Sequence, residues 1–548
     1  MSLAADWGEI FAKPALVSLT TALQRWLPSR RWFRGKARTI ESVNIREQIA
    51  VRVEGENAFL LLFQVNYEEG GPELYVLPVA CAFGEDANAI DRDMPQLVLL
   101  HISLNRPNRE GVVYDAIISK NFCHALLVLT ARRQTMPGYS GDLEAEPTGI
   151  LREIQRNRGL EIEPKVSKAE QSNSSIIYDG SIILKFFRRL EAGVNPELEM
   201  ERFLSAREFP YSPPLAGALE YHEMEGATST MAVLTSFIPD CRDAWEDTLS
   251  ALRGFYKKVR HLPAKLKHAP PASEAVSAIL GHSPLPPKPV DLIGQYLQDA
   301  GKLGQRTASL HLTLASAPAD PAFRPEPWDA REQQSQFESL CDLTRRTFQL
   351  LRQRLATLEP GSRPIAQRVL SLEHAIVERF RRMIQQPISA LRIRTHGDYH
   401  LGQVLHHGSD FLIIDFEGEP AISLEERRQK QSALRDVAGM LYSFFYAAHT
   451  ALDERPAALS ARLSLDHRTA WARYWSVWVG TNYLRSYLEM AGSAPFIPKD
   501  ETVLKILLDV ELLRKAIYEL GYELNNRPDW VNIAFQVLLD LLNTDNPI

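Results

Sequence analysis

The chain is 548 residues long and 45% of its residues are hydrophobic, so it is long enough to form two to four domains with buried cores. The formal net charge is −6, from 62 Lys and Arg against 68 Asp and Glu residues, and no basic block of the kind that follows a nucleic-acid backbone is present, so we expect no nucleic-acid partner. The sequence has no signal segment, no apolar run long enough to cross a membrane and only four widely spaced cysteines. It therefore predicts a cytoplasmic protein without a membrane span, structural zinc or a disulfide framework.

The first hundred residues combine one amphipathic helix pattern with alternating strand patterns, which is typical of a small α+β unit. A helix is predicted at 14–26, and strands are predicted at 40–52, 58–65 and 73–79. Further strands are predicted between 97 and 130, where apolar runs alternate with Gly and Asn turns. The segment RRWFRGK at 30–36 interleaves basic and aromatic residues, which indicates either an anion or partner site or an aromatic anchor with solvated arginines.

A β-hairpin is predicted at 170–187, where two β-rich runs flank the strong turn signal Asp179-Gly180. Lys185 lies on its second strand, and a helix start follows at Asn195, with proline next and Glu199 one turn in. A lone strand lysine is usually an exposed edge residue. Kinases, however, hold nucleotide phosphates with a strand lysine paired to a glutamate of the next helix, so we predict a Lys185–Glu199 pair.

Two further segments are candidates for nucleotide contacts. Ser174 and Ser175 stand where protein kinases carry a glycine-rich loop, so their backbone N–H groups are candidates for phosphate binding, with an ordinary turn as an equal alternative. A last strand is predicted at 231–238. Because the linker of a two-lobed kinase lies here, the backbone at Ser236 and Ile238 is the candidate contact for the adenine base.

Beyond residue 240 the pattern changes to long amphipathic helices. They are predicted at 245–260, 328–358, 365–385, 432–448, 470–490 and 501–522. A Pro- and Ala-rich segment at 263–327 is predicted to be an excursion outside the core. A β-rich first half and a helical second half predict an α+β fold with two lobes around a cleft.

The stretch RTHGDYHLGQVLHHGSDFLIIDFEGE at 394–419 carries the strongest chemical signal. Asp398 is followed five residues later by Gln403, and Asp415 stands at the end of the apolar strand FLII. This is the order of the catalytic and metal loops of protein kinases, with Gln403 in place of an asparagine. Asp398 is therefore the candidate base for a substrate hydroxyl, and Gln403 and Asp415 are candidate Mg²⁺ ligands. Glu417 is a candidate for a second ion, although a solvated glutamate is the plainer interpretation.

His396, Asp398 and His400 also form an H-x-D-x-H pattern, which is compatible with a zinc or iron site of the hydrolase kind. Alternate spacing places all three on one side of an extended segment. A catalytic zinc site needs a further set of ligands, and the distant histidines fall in helical or Pro-rich segments. The sequence therefore favours phosphoryl transfer, with His396 bracing the loop and His400 as a polar loop contact.

Four longer motifs resemble the maltokinases, bacterial members of the aminoglycoside-phosphotransferase-like kinases. They are HGDYHLGQVL, IDFEGEP, LRDVAGML and YELGYELNNRPDW, which begin at 396, 414, 434 and 518. RRWFRGK and NPELE are similar too, although Arg34 stands where a small residue is expected. The resemblance implies a bilobal protein-kinase-like fold. Its parts are an N-terminal α+β cap subdomain of cystatin-like topology at 1–100, an intermediate subdomain at 101–150, a kinase N-lobe at 151–238 and a helical C-lobe at 239–548.

The resemblance also implies a reaction and a set of site residues. The reaction is ATP- and Mg²⁺-dependent phosphorylation of maltose at its anomeric hydroxyl, which gives maltose 1-phosphate for glycogen-like α-glucan synthesis from trehalose. The resemblance makes Asp398 the base, Gln403 and Asp415 the metal ligands, and Lys185 with Glu199 the phosphate-binding pair. It suggests association with a trehalose-isomerising enzyme. The candidate sugar contacts are His396, Arg435, Tyr518, Glu519, Tyr522, Arg527 and Trp530.

Two alternatives stay open. A kinase of the same fold would act on another sugar, such as glucosamine or an aminoglycoside, whose positive charge calls for a densely acidic site. The mixed Arg, Tyr and Trp residues of the terminal segment do not favour that alternative, and a packed helix with capping ions is the plainer interpretation of this segment. A kinase-like scaffold without catalysis is the other alternative, and the retention of the five catalytic and nucleotide-site residues argues against it.

Overall fold

The computed structural model describes residues 1–53, 57–106, 108–167, 172–262, 269, 285–453 and 465–543. The chain divides into two compact units. Unit 1 comprises Met1–Glu208 and Pro213–Pro239, and unit 2 comprises Phe209–Ser212 and Asp240–Ile548. In the described part of the chain, no helix combines the length and the apolar character that crossing a membrane requires.

Unit 1 contains a seven-stranded sheet that shares a core with the first helix. Helix Ala15–Trp26 buries Leu19, Leu23 and Trp26, whose spacing of four and three residues is that of an amphipathic helix. The sheet is antiparallel apart from its outermost pair. Its strands in spatial order are Ser2–Leu3, Val98–Asn105, Asn108–Asp115, Glu73–Phe83, Asn57–Tyr67 and Ile40–Arg52, and Arg189–Leu190 pairs with Glu73–Phe83.

A second seven-stranded sheet in unit 1 holds the predicted hairpin and is antiparallel throughout. Its strands in spatial order are Thr135–Pro137, Gly141–Pro147, Leu215–Glu223, Thr228–Ser236, Ile182–Phe187, Asn173–Tyr178 and Pro164–Val166. Asp179 and Gly180 both have positive φ, 41° and 60°, so the Asp-Gly turn joins its two strands as predicted. The remaining helices of unit 1 are Gly84–Asp93, Lys120–Ala131, Gly149–Arg158 and Pro196–Ser205.

The prediction of strands throughout 97–130 is wrong for its second half. Lys120–Ala131 is a helix, and the Ser119 side chain caps it by accepting a hydrogen bond from the N–H of Phe122. Seven of its twelve residues are buried. Because this helix is enclosed on most sides, its sequence is an almost continuous apolar run, and such a run hides the helical period.

Unit 2 is mainly helical, as predicted. Its helices are Ala244–Arg260, Pro287–Ile293, Gln295–Leu314, Ala330–Arg354, Arg363–Leu370, Glu373–Arg381, Leu424–Arg427, Leu434–Asp453, Leu465–Ala491, Glu501–Asn526 and Val531–Asn543. One small sheet consists of Cys241–Asp243, Val404–His407 and Asp410–Ile413, and another of Glu326–Pro327 and Leu391–Arg392. The single helix predicted at 365–385 is interrupted after Leu370, where the Ser371 hydroxyl bonds the carbonyl of Arg368.

The prediction that 263–327 is an excursion outside the core is wrong for its second half, while 263–268 and 270–284 lie outside the described residues. Helix Gln295–Leu314 buries ten of its residues and packs along helix Leu465–Ala491. Small side chains allow the close approach, since a Cβ atom added to Gly304 would lie 2.2 Å from the carbonyl oxygen of Tyr483. The small residues of this segment therefore serve helix packing.

Candidate active site

The stretch with the strongest sequence signal forms a loop followed by a β-hairpin in unit 2. The loop ends in the short 3₁₀-helix Leu401–Gln403, and the hairpin strands are Val404–His407 and Asp410–Ile413. The Gln403 carbonyl accepts a hydrogen bond from the N–H of Ile414 at 3.1 Å. This register brings the two predicted Mg²⁺ ligands, Gln403 and Asp415, to the same end of the hairpin.

Asp415 has an unusual backbone conformation. Its φ is 67°, in the left-handed region that residues other than glycine rarely adopt, and strained residues of this kind cluster at functional sites. A carboxylate and an amide are oxygen donors of the type that Mg²⁺ prefers. The donor set of Gln403 and Asp415 therefore fits the ion, which would supply positive charge to phosphate oxygens.

A buried carboxylate, Asp436, fixes the backbone just before Asp398. It accepts hydrogen bonds from the N–H of His396 at 2.7 Å and from the N–H of Gly397 at 3.0 Å. Burial acts to raise the pKa of Asp436, but the hydrogen bond from His311 and the charges around it hold that pKa below its usual value. Asp436 is therefore an ionised acceptor for the catalytic loop.

The two histidines of the H-x-D-x-H pattern have separate partners. The buried His396 ring donates from Nε2 to the carbonyl of Ile414 at 2.9 Å and so braces the loop against the end of the hairpin. His400 Nδ1 accepts the N–H of Gly402 at 3.1 Å, and its Nε2 lies 3.9 Å from Asp398. Within the described residues these side chains do not bring three ligand atoms together, so the geometry does not favour the zinc or iron interpretation.

Asp398 lies beside a buried ammonium group that the sequence analysis missed. Lys515 Nζ donates to Asp398 Oδ1 at 3.2 Å and pairs with Glu519 at 2.8 Å. Burial acts to raise the pKa of Asp398, but Lys515 and the nearby histidines lower it to about 2. Burial acts to lower the pKa of Lys515, and its two carboxylate partners raise it above the usual value. Both groups are therefore charged at neutral pH.

One sequence signal points to Lys515. Lys515 and Glu519 stand four residues apart on helix Glu501–Asn526, which is the spacing of an ordinary surface ion pair. The lysine side chain is only 4% exposed, however, because buried apolar residues surround it on the helix. A lysine and a glutamate at this spacing within an apolar run therefore indicate a buried ion pair and not a surface pair.

A cavity of about 360 Å³ opens beside Asp398 and lies wholly within unit 2. This volume is in the range of small-molecule sites. Four of the predicted sugar contacts line it, namely Tyr518, Glu519, Tyr522 and Arg527. Further aromatic and charged lining comes from residues that the sequence analysis did not select, namely Trp245, Tyr442, Tyr446, Lys515 and Glu523.

Tyr446 is the centre of the aromatic wall of this cavity. The centroid of its ring lies 5.9 Å from that of Trp245 and 6.3 Å from that of Tyr442. Trp530, a predicted sugar contact, is stacked on Tyr446 at 6.2 Å with 11° between the ring planes, so it supports the wall. The Tyr446 hydroxyl donates to Glu523 at 3.0 Å.

Two other predicted sugar contacts, Arg435 and His396, are not among the lining residues. Arg435 pairs with Glu419 at 3.2 Å, and Arg514 approaches the same carboxylate at 3.0 Å. Glu419 is buried, which acts to raise its pKa, and the two arginines hold that pKa below its usual value. Arg435 therefore pairs with the buried Glu419 carboxylate, just as His396 bonds the Ile414 carbonyl.

In unit 1, Lys185 pairs with Glu197, so the predicted pairing with Glu199 is corrected by two residues. The Lys185 Nζ lies 2.6 Å from Glu197 Oε2. Successive helical residues are about 100° apart, so Glu197 and Glu201 share the face toward the strand, and Glu199 projects from another side. The Asn195 cap that begins this helix is confirmed, since its side chain accepts from the N–H groups of Glu197 and Leu198.

The two hairpin serines point to opposite sides of the sheet. Ser175 stands directly across from Lys185 in the strand register, so its side chain shares the lysine's side. Ser174 is buried, and its hydroxyl accepts a hydrogen bond from Arg188 at 2.9 Å. Ser175 is therefore the better placed of the two serines beside the lysine.

The segment predicted to contact adenine leaves the sheet earlier than expected. The strand ends at Ser236, and the N–H of Ser236 donates to the Pro214 carbonyl at 3.0 Å. The N–H of Ser236 therefore already has a hydrogen-bond partner within unit 1. Ile238 follows the strand and is half-buried.

Comparison with known proteins gives matches to sugar kinases. Residues 26–118 match the family model of the maltokinase N-terminal cap domain. A glucosamine kinase from Streptacidiphilus jiangxiensis is 22% identical over 423 residues, which cover 76% of this chain and 80% of that protein. A glucosamine kinase from Mycolicibacterium smegmatis is 23% identical over 379 residues, with 68% and 78% covered.

The solved structure of a glucosamine kinase in complex with glucosamine, ADP and inorganic phosphate matches with a TM-score of 0.60 at 17% identity, covering 98% of this chain and all of that one. A second crystal form of a glucosamine kinase also gives a TM-score of 0.60, at 16% identity and with 95% and 99% covered. These matches confirm the predicted α+β kinase-like fold. The chain therefore has the fold of these glucosamine kinases, and its residues 26–118 are similar to the maltokinase N-terminal cap domain.

Proposed function

We propose that this protein is a sugar kinase that transfers the γ-phosphoryl group of ATP to the anomeric hydroxyl of maltose. Phosphoryl transfer to a sugar is supported by the maltokinase cap domain and by the similarity to glucosamine kinases. The observation that carries the proposal is the cavity at Asp398. An ionised carboxylate, a buried lysine and several tyrosines line the same space there.

In the proposed reaction Asp398 accepts the hydrogen bond, and then the proton, of the attacking sugar hydroxyl. Its carboxylate orients the hydroxyl toward the phosphorus and takes up the proton as the phosphoryl group transfers. Lys515 keeps Asp398 ionised. Lys185, held by Glu197, binds nucleotide phosphates, and Gln403 with Asp415 would hold Mg²⁺.

Most of the charged groups that line the cavity pair with one another, which supports a neutral sugar as the substrate. Asp398 and Glu519 share Lys515 as their cation, at 3.2 and 2.8 Å. The charge of Arg527 acts on Glu523 against the effect of burial. Beside these paired charges, the cavity offers aromatic faces for sugar C–H groups and polar tips for hydroxyls, which suits maltose.

A second candidate is the phosphorylation of an amino sugar such as glucosamine. One observation favours it beyond the similarity of the relatives. Glu523 lines the cavity and is 1% exposed, and its Oε2 makes no hydrogen bond within the described residues. Burial raises the pKa of Glu523. A sugar ammonium group beside it would restore the charged form and satisfy this oxygen.

A substrate panel with one matched variant separates the two candidates. Purified protein is incubated with ATP, Mg²⁺ and either maltose, glucose or glucosamine, and the product is identified by ³¹P NMR. The proposal predicts that maltose turns over fastest, with phosphorus coupled to the anomeric proton. It also predicts that Glu523→Gln keeps most of this activity.

Preferred turnover of glucosamine that Glu523→Gln abolishes would replace maltose with the amino sugar. The absence of turnover with every sugar, in protein that binds nucleotide, would overturn the sugar-kinase proposal itself. The trehalose-to-glycogen context and the association with a trehalose-isomerising enzyme stay predictions from the sequence, and co-purification with such an enzyme is their direct test.

A further inference from the structure

We propose that His311, on helix Gln295–Leu314, is a positioning residue for the catalytic loop. It orients Asp436, and Asp436 holds the backbone N–H groups that immediately precede Asp398. The inference rests on the proposed role of Asp398 in phosphoryl transfer. It concerns a helix for which the sequence predicted no part in the site.

The His311 ring is held at both of its nitrogens. Nε2 lies 3.0 Å from Asp436 Oδ2, and Nδ1 lies 2.9 Å from the hydroxyl of Tyr487. An ionised carboxylate can only accept, so Nε2 carries the proton of the hydrogen bond to Asp436. His311 is 0% exposed and Asp436 is 1% exposed, so no solvent replaces either contact.

The Asp436 oxygen that accepts from His311 is also the oxygen that accepts from the loop. Oδ2 takes the N–H of His396 at 2.7 Å, while Oδ1 takes the N–H of Gly397 at 3.0 Å. His311 therefore sets the rotation of the carboxylate group that two consecutive loop amides require. Without the imidazole, the Asp436 carboxylate can rotate, and the backbone before Asp398 is no longer held in one conformation.

The same helix makes further contacts with the catalytic stretch. Lys302 donates to the Ser409 carbonyl at 2.6 Å, and Arg306 forms two hydrogen bonds with Asp410 at 2.6 and 2.7 Å. The Thr307 hydroxyl lies 3.1 Å from the hydroxyl of Tyr399, next to Asp398 in the chain. The helix thus contacts the segment from the catalytic loop to the hairpin turn at several points, and His311 is its contact with Asp436.

The test compares three variants in this helix. His311→Gln keeps an N–H donor close to the position of Nε2, and His311→Leu removes it. Leu310→Ala opens a cavity at a fully buried neighbour that makes no hydrogen bond to the loop. For each variant we would measure kcat, the KM values for nucleotide and sugar, thermal unfolding, and amide hydrogen exchange of the peptide that covers 394–403.

His311→Leu is expected to lower kcat about 10- to 100-fold, with KM values within about threefold, and to speed exchange in this peptide. His311→Gln should recover most of kcat and of the exchange protection, and Leu310→Ala should lower thermal stability without either effect. Wild-type kcat and exchange in folded His311→Leu, or an equal loss of kcat in Leu310→Ala, would overturn the proposal. Because exchange is read without substrate, failure of the sugar-kinase proposal is seen separately, as inactivity of the wild type.

Discussion

Lys515→Met removes the cation beside Asp398 and keeps a flexible apolar side chain of similar length. The pKa of Asp398 falls from the ordinary 3.8 to about 2, and at roughly 1.4 kcal/mol per pKa unit this favours the ionised form by about 2 kcal/mol. The folded-state pKa is depressed, so this stabilisation is present above about pH 4 and is lost as the pH falls through about 2. In the variant, burial is opposed only by the nearby histidines, so the pKa of Asp398 should rise.

The expected result has a kinetic and a thermodynamic part. The acid limb of kcat/KM should move from below about pH 3 to higher pH, because Asp398 is active only when ionised. The free energy of unfolding at pH 7 should fall by about 3–5 kcal/mol, since removing one partner leaves the carboxylates of Asp398 and Glu519 buried without their cation. The assay is ADP release between pH 4 and 8, with urea unfolding in parallel.

Lys505→Met is the matched control, because Lys505 is an exposed lysine on the same helix. It should leave the pH profile unchanged and alter stability by less than about 0.5 kcal/mol. If folded Lys515→Met has the wild-type acid limb and the wild-type kcat, the reasoning that Lys515 governs the ionisation of Asp398 is refuted.

Two further predictions concern nucleotide binding and helix packing. Lys185→Ala and Glu197→Ala should each reduce kcat/KM for ATP, and the double variant should be little worse than Lys185→Ala, because the two residues share one function. A purely additive loss in steady-state kinetics would contradict the pair. Gly304→Ala should destabilise unit 2 by about 1–3 kcal/mol in urea unfolding, because the added Cβ would meet the Tyr483 carbonyl at 2.2 Å. Gly254→Ala, on helix Ala244–Arg260 with nothing within 4 Å, should instead stabilise it by about 0.5–1 kcal/mol, and equal effects of the two would refute the packing argument.

The features that could be predicted from the sequence are those with a local cause. The Asp-Gly turn of the hairpin follows from the positive φ values that only a few residues accept. The Asn195 cap follows from a side chain that bonds N–H groups two and three residues on. The positions of Asp398, Gln403 and Asp415 can be predicted because the three residues lie close together in the sequence, on one loop and one hairpin.

The features that could not be predicted depend on distant partners. The start of helix Pro196–Ser205 does not reveal which of its sides faces the sheet, so the sequence does not distinguish Glu197 from Glu199 as the partner of Lys185. Lys515 has two carboxylate partners. Asp398 lies 117 residues upstream in the sequence, and Glu519 lies one helical turn downstream. Helix Gln295–Leu314 likewise owes its burial to helix Leu465–Ala491, which no local pattern encodes.

The central claim, that Asp398 acts on the sugar hydroxyl, is tested most directly by Asp398→Asn with kcat and ligand binding measured on the same protein. The account predicts that kcat for maltose falls about 10²- to 10⁴-fold, or roughly 3–5 kcal/mol of barrier, while nucleotide and maltose still bind. Extra Mg²⁺ should not restore this rate, whereas Asp415→Asn should show a raised Mg²⁺ requirement. Folded Asp398→Asn that phosphorylates maltose at close to the wild-type rate, or whose defect is cured by Mg²⁺, would contradict the account.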